Sequence, residues 1–327
     1  MESDPAVILL GEDLLDPYGG AFKVTQGLSS TFPGRVMSTP ISEAGILGVA
    51  TGMALRGLRP VVEIMFGDFV TLIADQLINH AAKFSWMYNG QVHVPLVIRT
   101  PMGGRRGYGP THSQTLEKLF LGVPGLRVVA PNSLGEPGDL LMEAIRDPAP
   151  VLFVENKLLY TVELKTVEAL ADYSLHVLDH SSAGTEDSFH APGYSLTIQG
   201  APEPALTLAS YGYMVELAMQ AVYKLAFEHE IFSELIVLTQ LSPFQLEPVW
   251  KSTRRTGRLL TIEEGSLSLG WGAEVLAQAT QVLGPQLRSA RRTAALDLPV
   301  PSSVALEEIV LPGLESIVRT ALEIFHG

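Results

Sequence analysis

Thr39-Pro40-Ile41-Ser42-Glu43-Ala44-Gly45-Ile46-Leu47-Gly48-Val49-Ala50-Thr51-Gly52-Met53-Ala54 sets one carboxylate at the head of a helix built almost wholly of small and apolar residues. Thr39 can cap such a helix, and Pro40 suits its first turn. An acidic side chain there meets the positive end of the dipole. Ala44, Gly48 and Gly52 recur at every fourth position, so one face is nearly bare. Glycine inside a helix costs about 1 kcal/mol relative to alanine. Two on one face point to a close approach, by another helix or by a flat ligand. The plainer alternative is that Glu43 decorates a helix start and the glycines pack a dimer helix.

Outward from this helix, short apolar runs alternate with helical stretches. Residues 6–10 form a run ended by Gly11-Glu12-Asp13, and 61–65 form another, stopped by Phe66-Gly67-Asp68. Both read as buried strands. A helix is predicted over 70–88, a strand over 94–99, a helix over 113–120, a strand over 127–130, a helix over 138–145 and a strand over 151–154. This order predicts an α/β fold with a mostly parallel sheet covered on both faces. The pattern breaks down from 163 to 203, which includes Ser181-Ser182-Ala183-Gly184-Thr185-Glu186-Asp187-Ser188. This part reads as an interdomain connection with a strand or two of its own. A second, smaller α/β unit follows, with strands at 205–212, 234–238 and 258–262 and helices at 214–227, 272–283 and 314–325. The expected division is 1–175 for the first domain, 176–203 for the linker and 204–327 for the second domain.

Composition sets further bounds. A chain of 327 residues suggests two domains, and 46% hydrophobic with 17% charged residues suggests a large core plus a subunit interface. The net charge of −13 makes nucleic acid and anionic membrane poor partners. Cysteine is absent, which excludes thiol chemistry and fits a cytoplasmic protein. The start, Met1-Glu2-Ser3-Asp4-Pro5, lacks the basic and apolar regions of a signal peptide. No run approaches the ~20 apolar residues needed to span a bilayer.

Ligands in open α/β sheets sit outside the carboxyl ends of strands. Three loops attract notice. Phe66-Gly67-Asp68-Phe69 carries two aromatics that either stack on a flat heteroaromatic ring or fill the core. The loop from Thr100 to Ser113 holds glycines, Arg105, Arg106 and His112. Histidine titrates near neutrality and can move a proton, and arginines can meet a carboxylate or phosphate. The alternative is a surface loop with a capping histidine. Ala144-Ile145-Arg146-Asp147-Pro148 could hold a monovalent cation on helix-end carbonyls, or simply end a helix before proline. No Gly-Asp-Gly with a downstream Asn pair is present, so the chain lacks a magnesium-diphosphate site of the thiamine type. Rossmann and Walker fingerprints are missing too. No metal cluster is legible: His80 and His93 stand apart, and His180 and His190 flank the Ser-rich stretch.

Taken together, these segments resemble the β subunit of the E1 component of 2-oxo acid dehydrogenases, the thiamine-diphosphate family of pyruvate, branched-chain and acetoin dehydrogenases. The motifs run in order over nearly the whole chain: Gly11-Glu12-Asp13, Gly19-Gly20-Ala21-Phe22, Thr39 to Gly45, Arg59 to Glu63, Asp75-Gln76, Ala81-Ala82-Lys83, His112-Ser113-Gln114, Pro124-Gly125-Leu126, Leu158-Leu159-Tyr160, Tyr211-Gly212, Thr256-Gly257-Arg258 and Gly272-Ala273-Glu274.

The resemblance implies a transketolase pyrimidine-type domain plus a transketolase C-terminal-like domain, with thiamine diphosphate shared between an α and a β subunit. Magnesium and the diphosphate would lie on the α chain, within an α2β2 heterotetramer. Glu43 matches the glutamate that shares a proton with the cofactor's aminopyrimidine N1′. A buried carboxyl group can hold such a proton near pH 7. Phe69 matches the aromatic that stacks on the pyrimidine, and His112 a histidine near the reacting carbons. Leu96, Ala144, Ile145 and Asp147 match a potassium site. The position two after Asp147, which can be Asn in the family, is Ala149 here. The implied reaction is decarboxylation of a 2-oxo acid and acyl transfer to lipoamide on an E2 partner. A carboligase of transketolase type with a small-molecule acceptor is the alternative, and Arg105-Arg106 beside the active-site loop suits it. A non-catalytic stabilising subunit is the third reading, which Glu43, Phe69 and His112 argue against.

Overall fold

The apolar runs of the first half become strands because each is buried along its length. The computed structural model describes residues 1–166, 168–178 and 189–326. In chain order the first half holds β1 (Val7–Gly11), α1 (Leu28–Thr31), β2 (Val36–Ser38), α2 (Glu43–Leu55), β3 (Arg59–Glu63), α3 (Phe84–Met87), β4 (Val97–Met102), β5 (Arg127–Val129), α4 (Pro137–Arg146) and β6 (Val151–Asn156). The second half holds β7 (Tyr173–Leu178), β8 (Gly193–Ile198), β9 (Leu206–Ser210), α5 (Met214–His229), β10 (Ser233–Val237), β11 (Gln240–Ser242), α6 (Glu247–Thr256), β12 (Arg258–Ser266), α7 (Trp271–Leu283), β13 (Ser289–Ala295), α8 (Val304–Val310) and α9 (Leu314–His326).

Two sheets result, ordered β11-β5-β6-β4-β3-β1-β2 and β13-β12-β9-β10-β8-β7. The first is parallel except at β11, and the second is parallel except where β8 meets β10 and β7. This is the α/β architecture expected from the sequence. One strand crosses between the units. After β10 the chain returns to the first sheet, where β11 pairs antiparallel with β5 and covers its edge. An unpaired edge is a liability for a sheet, and the second half of the chain removes it.

α2 buries Ile46, Leu47, Ala50 and Ala54 in the core that holds Val62, Ile64, Val70 and Ile73. Its other face, with Gly45, Gly48, Val49 and Gly52, is exposed. A Cβ added at Gly48 or Gly52 would meet nothing within 4 Å. The close approach expected at these glycines is therefore not made within this chain.

Three stretches differ from expectation. The helix over 70–88 is broken into a 3-10 stretch (Gly67–Ile73), a π-turn (Gln76–Ala81) and α3. This irregular winding keeps Val70, Ile73, Leu77 and Ala81 buried against α2. The helix over 113–120 is reduced to a 3-10 turn, Glu117–Leu119. Tertiary bonds override its propensity: Gln114 bonds Asp68, and Lys118 bonds Ser266 and Ser268. Within the irregular stretch 163–203, β7 and β8 pair with each other and extend the second sheet. His180 and the Ser-rich residues 181–188 lie outside the described residues. Among the described residues, no helix is long and apolar enough to cross a membrane.

Candidate active site

β1, β3, β4 and β6 run parallel, so their carboxyl ends share one edge of the first sheet. Glu12 follows β1, Phe66–Phe69 follow β3, the glycine-rich loop follows β4 and Lys157 follows β6. α2 begins just after β2, whose neighbour is β1. Strand polarity thus gathers at one edge residues that lie far apart in sequence.

Glu43 is the first residue of α2 and is 8% exposed. Among the described residues its carboxylate has no hydrogen bond or ion pair. Glu12 is 7% exposed, and one of its oxygens is unpartnered. Burial, and then the charges of Glu43 and Asp13, push the Glu12 carboxyl above its ordinary range.

Phe69 packs beside α2 on the 3-10 stretch that leans against that helix. The His112 ring stands edge-on to Phe69 at 5.4 Å and to Phe66 at 4.7 Å. Phe66 also meets Phe22 at 5.6 Å and Tyr108 at 5.9 Å. Edge-to-face packing of this kind fixes ring planes as well as positions. The Nδ1 atom of His112 lies 3.0 Å from the Thr111 hydroxyl. Lys157 donates from below to the main-chain carbonyl of His112. Its ammonium sits 5.3 Å from the Phe66 ring centroid and 5.4 Å from that of Tyr108. Burial pushes the Lys157 ammonium down to about 8, against the opposing charges of Asp68, Glu264 and Glu307. A buried ion network lies deeper, where Arg99 holds Glu63 at 3.0 Å and Glu155 at 2.8 Å. Tyr160 bonds Glu155 at 2.7 Å and packs its ring on Phe22 at 5.4 Å.

Phe69 and His112 are therefore in contact, and Glu43 heads the helix against which the Phe69 segment packs. Leu96, Ala144, Ile145 and Asp147 lie at the opposite, amino edge of the sheet, around the starts of β4 and β6. The Leu96 carbonyl accepts the Val151 N–H at 2.8 Å. The Ile145 carbonyl accepts from the Arg59 guanidinium at 2.5 Å. Asp147 pairs with Arg127 at 2.9 Å and accepts the Ala149 N–H at 2.7 Å. Among the described residues, no group of three or more His, Asp or Glu could hold a metal ion.

Glu12 and Lys157 were not singled out as site residues from sequence. Glu12 had a signal in its place after a buried strand. Lys157 had one as a lone cation ending the apolar run at 151–154.

Residues 1–163 match the family model "transketolase, pyrimidine binding domain", and 196–317 match "transketolase, C-terminal domain". The chain is 38% identical over 323 residues to the pyruvate dehydrogenase E1 component subunit beta-1, mitochondrial, of Arabidopsis thaliana, covering 98% of this chain and 84% of that one. It is 34% identical over 337 residues to the acetoin:2,6-dichlorophenolindophenol oxidoreductase subunit beta of Cupriavidus necator, covering 100% and 94%. A solved split-gene transketolase, described as an inactive beta4 tetramer, shares the fold at a TM-score of 0.70 and 18% identity, covering 99% of this chain and 94% of that one.

Proposed function

We infer function from one premise: the chain belongs to the family of β subunits of thiamine-diphosphate-dependent 2-oxo acid dehydrogenase E1 components, built on transketolase pyrimidine-binding and C-terminal domains. With an α subunit it decarboxylates a 2-oxo acid and passes the acyl group to lipoamide on an E2 partner. The observation that carries this reading is Glu43, an 8% exposed residue at the start of α2 whose carboxylate has no hydrogen bond or ion pair among the described residues. Such a carboxylate needs a hydrogen-bonding partner from outside the described residues, water or a ligand. A protonated ring nitrogen supplied from outside the chain meets that need.

The residues present fit thiamine diphosphate, which when bound supplies the nucleophilic carbon for attack on the 2-oxo group. Glu43 would share a proton with the pyrimidine N1′. Glu12 lies close enough to feel the charge of Glu43, which adds to burial in pushing its carboxyl up. Phe69 would stack on the pyrimidine. His112, whose ring packs on Phe66 and Phe69, would move a proton near the reacting carbons or steer the acceptor. The diphosphate and magnesium belong to the α chain in this reading, in an α2β2 assembly. The exposed glycine face of α2 is where that chain packs. A cytoplasmic location is part of the same proposal, although several relatives carry "mitochondrial" in their names. So is the division at 1–175, 176–203 and 204–327, in which β7 straddles the first boundary and joins β8 of the connecting stretch in the second sheet.

Potassium fits less well. The guanidinium groups of Arg59 and Arg127 already bring positive charge to Ile145 and Asp147, so no step is assigned to the ion.

The test is reconstitution with an E1 α subunit from the same organism. Acylation of a lipoyl domain that depends on a 2-oxo acid is the expected result. Carboligation with an aldehyde, without lipoyl acylation, would replace this reading with the transketolase-like one.

A further inference from the structure

The loop that carries His112 leaves the first sheet, yet the second domain holds it. The Gly104 N–H donates to Glu264 at 2.7 Å. The Arg105 N–H donates to Glu307 at 2.6 Å, and the Gly107 N–H reaches the other oxygen of Glu307 at 3.3 Å. Glu264 lies on β12 and Glu307 on α8, and they are 4% and 2% exposed. The Arg105 side chain follows the same direction. It meets Glu264 at 3.6 Å and the Pro312 carbonyl at 2.6 Å.

The backbone is shaped for this grip. Gly103, Arg105 and Gly107 have φ of 96°, 67° and 67°. Left-handed residues among right-handed ones turn successive N–H groups toward one side and create an anion-binding concavity. Glu307 fills that concavity with a carboxylate from the same chain. The approach is close: a Cβ on Gly104 would lie 2.5 Å from Leu311 and 3.0 Å from Glu307. A loop that reads in sequence as a reader of external anions has therefore spent Arg105 and several N–H groups internally.

We propose that Glu264 and Glu307 are positioning residues for His112, so that the second domain sets the geometry of the catalytic loop. The proposal rests on the reading of His112 as a group at the reaction centre. From Gly104 to His112 the chain runs only a few residues, and its far end is tied by Lys157 and by Asp68 to Gln114. Loss of the Glu307 anchor frees one end of this span. A misplacement of about 1 Å at a reacting group can cost about a hundredfold in rate.

The experiment uses the full chain labelled with 13C at the histidine Cε1 position, with the His112 signal assigned from a His112→Gln spectrum. Three variants are compared: Glu307→Ala, Glu307→Gln and the exposed neighbour Glu308→Gln. Glu307→Ala should broaden or split the His112 signal. Glu307→Gln, whose amide oxygen still accepts an N–H, should restore much of it. Glu308→Gln should leave it unchanged. Reconstituted with the α subunit, Glu307→Ala should lose about tenfold to a hundredfold in kcat, with KM for the 2-oxo acid little changed. An unperturbed His112 signal in a folded Glu307→Ala chain overturns the proposal. A perturbed signal with full turnover upholds the positioning and instead removes His112 from the reaction. If Glu307→Ala does not fold, Glu307→Gln and Glu264→Gln carry the same readouts, and an unperturbed His112 signal in both overturns the proposal.

Discussion

The ammonium of Lys157 donates to the main-chain carbonyl of His112 from a site with 0% of the lysine exposed. Two opposing effects follow for Lys157→Met. An orphaned buried carbonyl costs about 1–3 kcal/mol. Removing a buried ammonium whose proton affinity has dropped to about 8 from 10.5 returns a similar sum, roughly 3 kcal/mol. Stability should therefore change little in a urea melt, while lipoyl acylation falls because the His112 loop has lost its inner anchor. Full activity in a folded Lys157→Met enzyme would count against that anchor.

Glu263 gives the fold a pH dependence. Burial pushes its carboxyl up to about 8, although the Gly272 N–H donates to it at 2.9 Å. Between about pH 4.5 and 8 the folded chain keeps a proton that the unfolded chain has released, so stability falls as pH rises. Glu12, Glu63 and Glu117 are pushed the same way by burial. Lys157 acts in the opposite sense. Between about pH 8 and 10.5 the unfolded chain holds a proton that the folded one lacks, which stabilises the fold as pH rises. Thermal melts across pH should show stability declining toward pH 8 and then flattening. Glu263→Gln should make the decline shallower, and an identical profile in that variant would locate the slope elsewhere.

Glu43→Gln separates chemistry from folding. Glu43 has no hydrogen bond or ion pair among the described residues and adds repulsion at Glu12. The variant should melt no lower than the parent chain. Its turnover should fall by orders of magnitude, about 10²–10⁴, as expected when a positioned proton-sharing group is removed. Near-normal turnover would refute the role.

These contrasts show what sequence can and cannot carry. Strands such as β1 and β6 were legible because burial on both faces demands unbroken apolar runs. The helix that Glu43 heads was legible because a proline and an acidic residue precede a run of small and apolar residues. Glu264 and Glu307 were not. Each is an ordinary acidic residue in its own element, and its meaning comes from backbone N–H groups on the other domain, which carry no side-chain signature. Arg105 misled for the same reason, since its partners Glu264 and Pro312 lie more than a hundred residues away. The helix over 113–120 failed because Asp68 and Ser266 compete for its polar groups.

Potassium should prove dispensable. Arg59 donates to the Ile145 carbonyl and Arg127 pairs with Asp147, so the positive charge a bound ion would bring is already present. Replacing potassium with tetramethylammonium should shift neither the melting temperature nor turnover, because a ligand stabilises only a state that binds it. Arg59→Ala frees the carbonyl and should create a potassium-dependent melting temperature. A marked potassium dependence in the parent chain would show that the carbonyls accept both cations.

The glycine face of α2 offers the sharpest check on the partner. A side chain at Gly48 would meet nothing within 4 Å in this chain, and Val49 beside it is 58% exposed. Gly48→Ala in the isolated chain should therefore stabilise α2 by up to about 1 kcal/mol, the ordinary helix propensity difference. Gly48→Leu should also fold, since the face is open. Helices packed through ordinary side chains keep their axes about 8–10 Å apart, and a bare glycine face permits closer approach. A leucine there would hold the partner off. Co-purification with the α subunit should thus fail for Gly48→Leu while the chain alone melts normally. If that variant still assembles with full affinity, the α chain packs elsewhere and Glu43 must find its coenzyme on a different face.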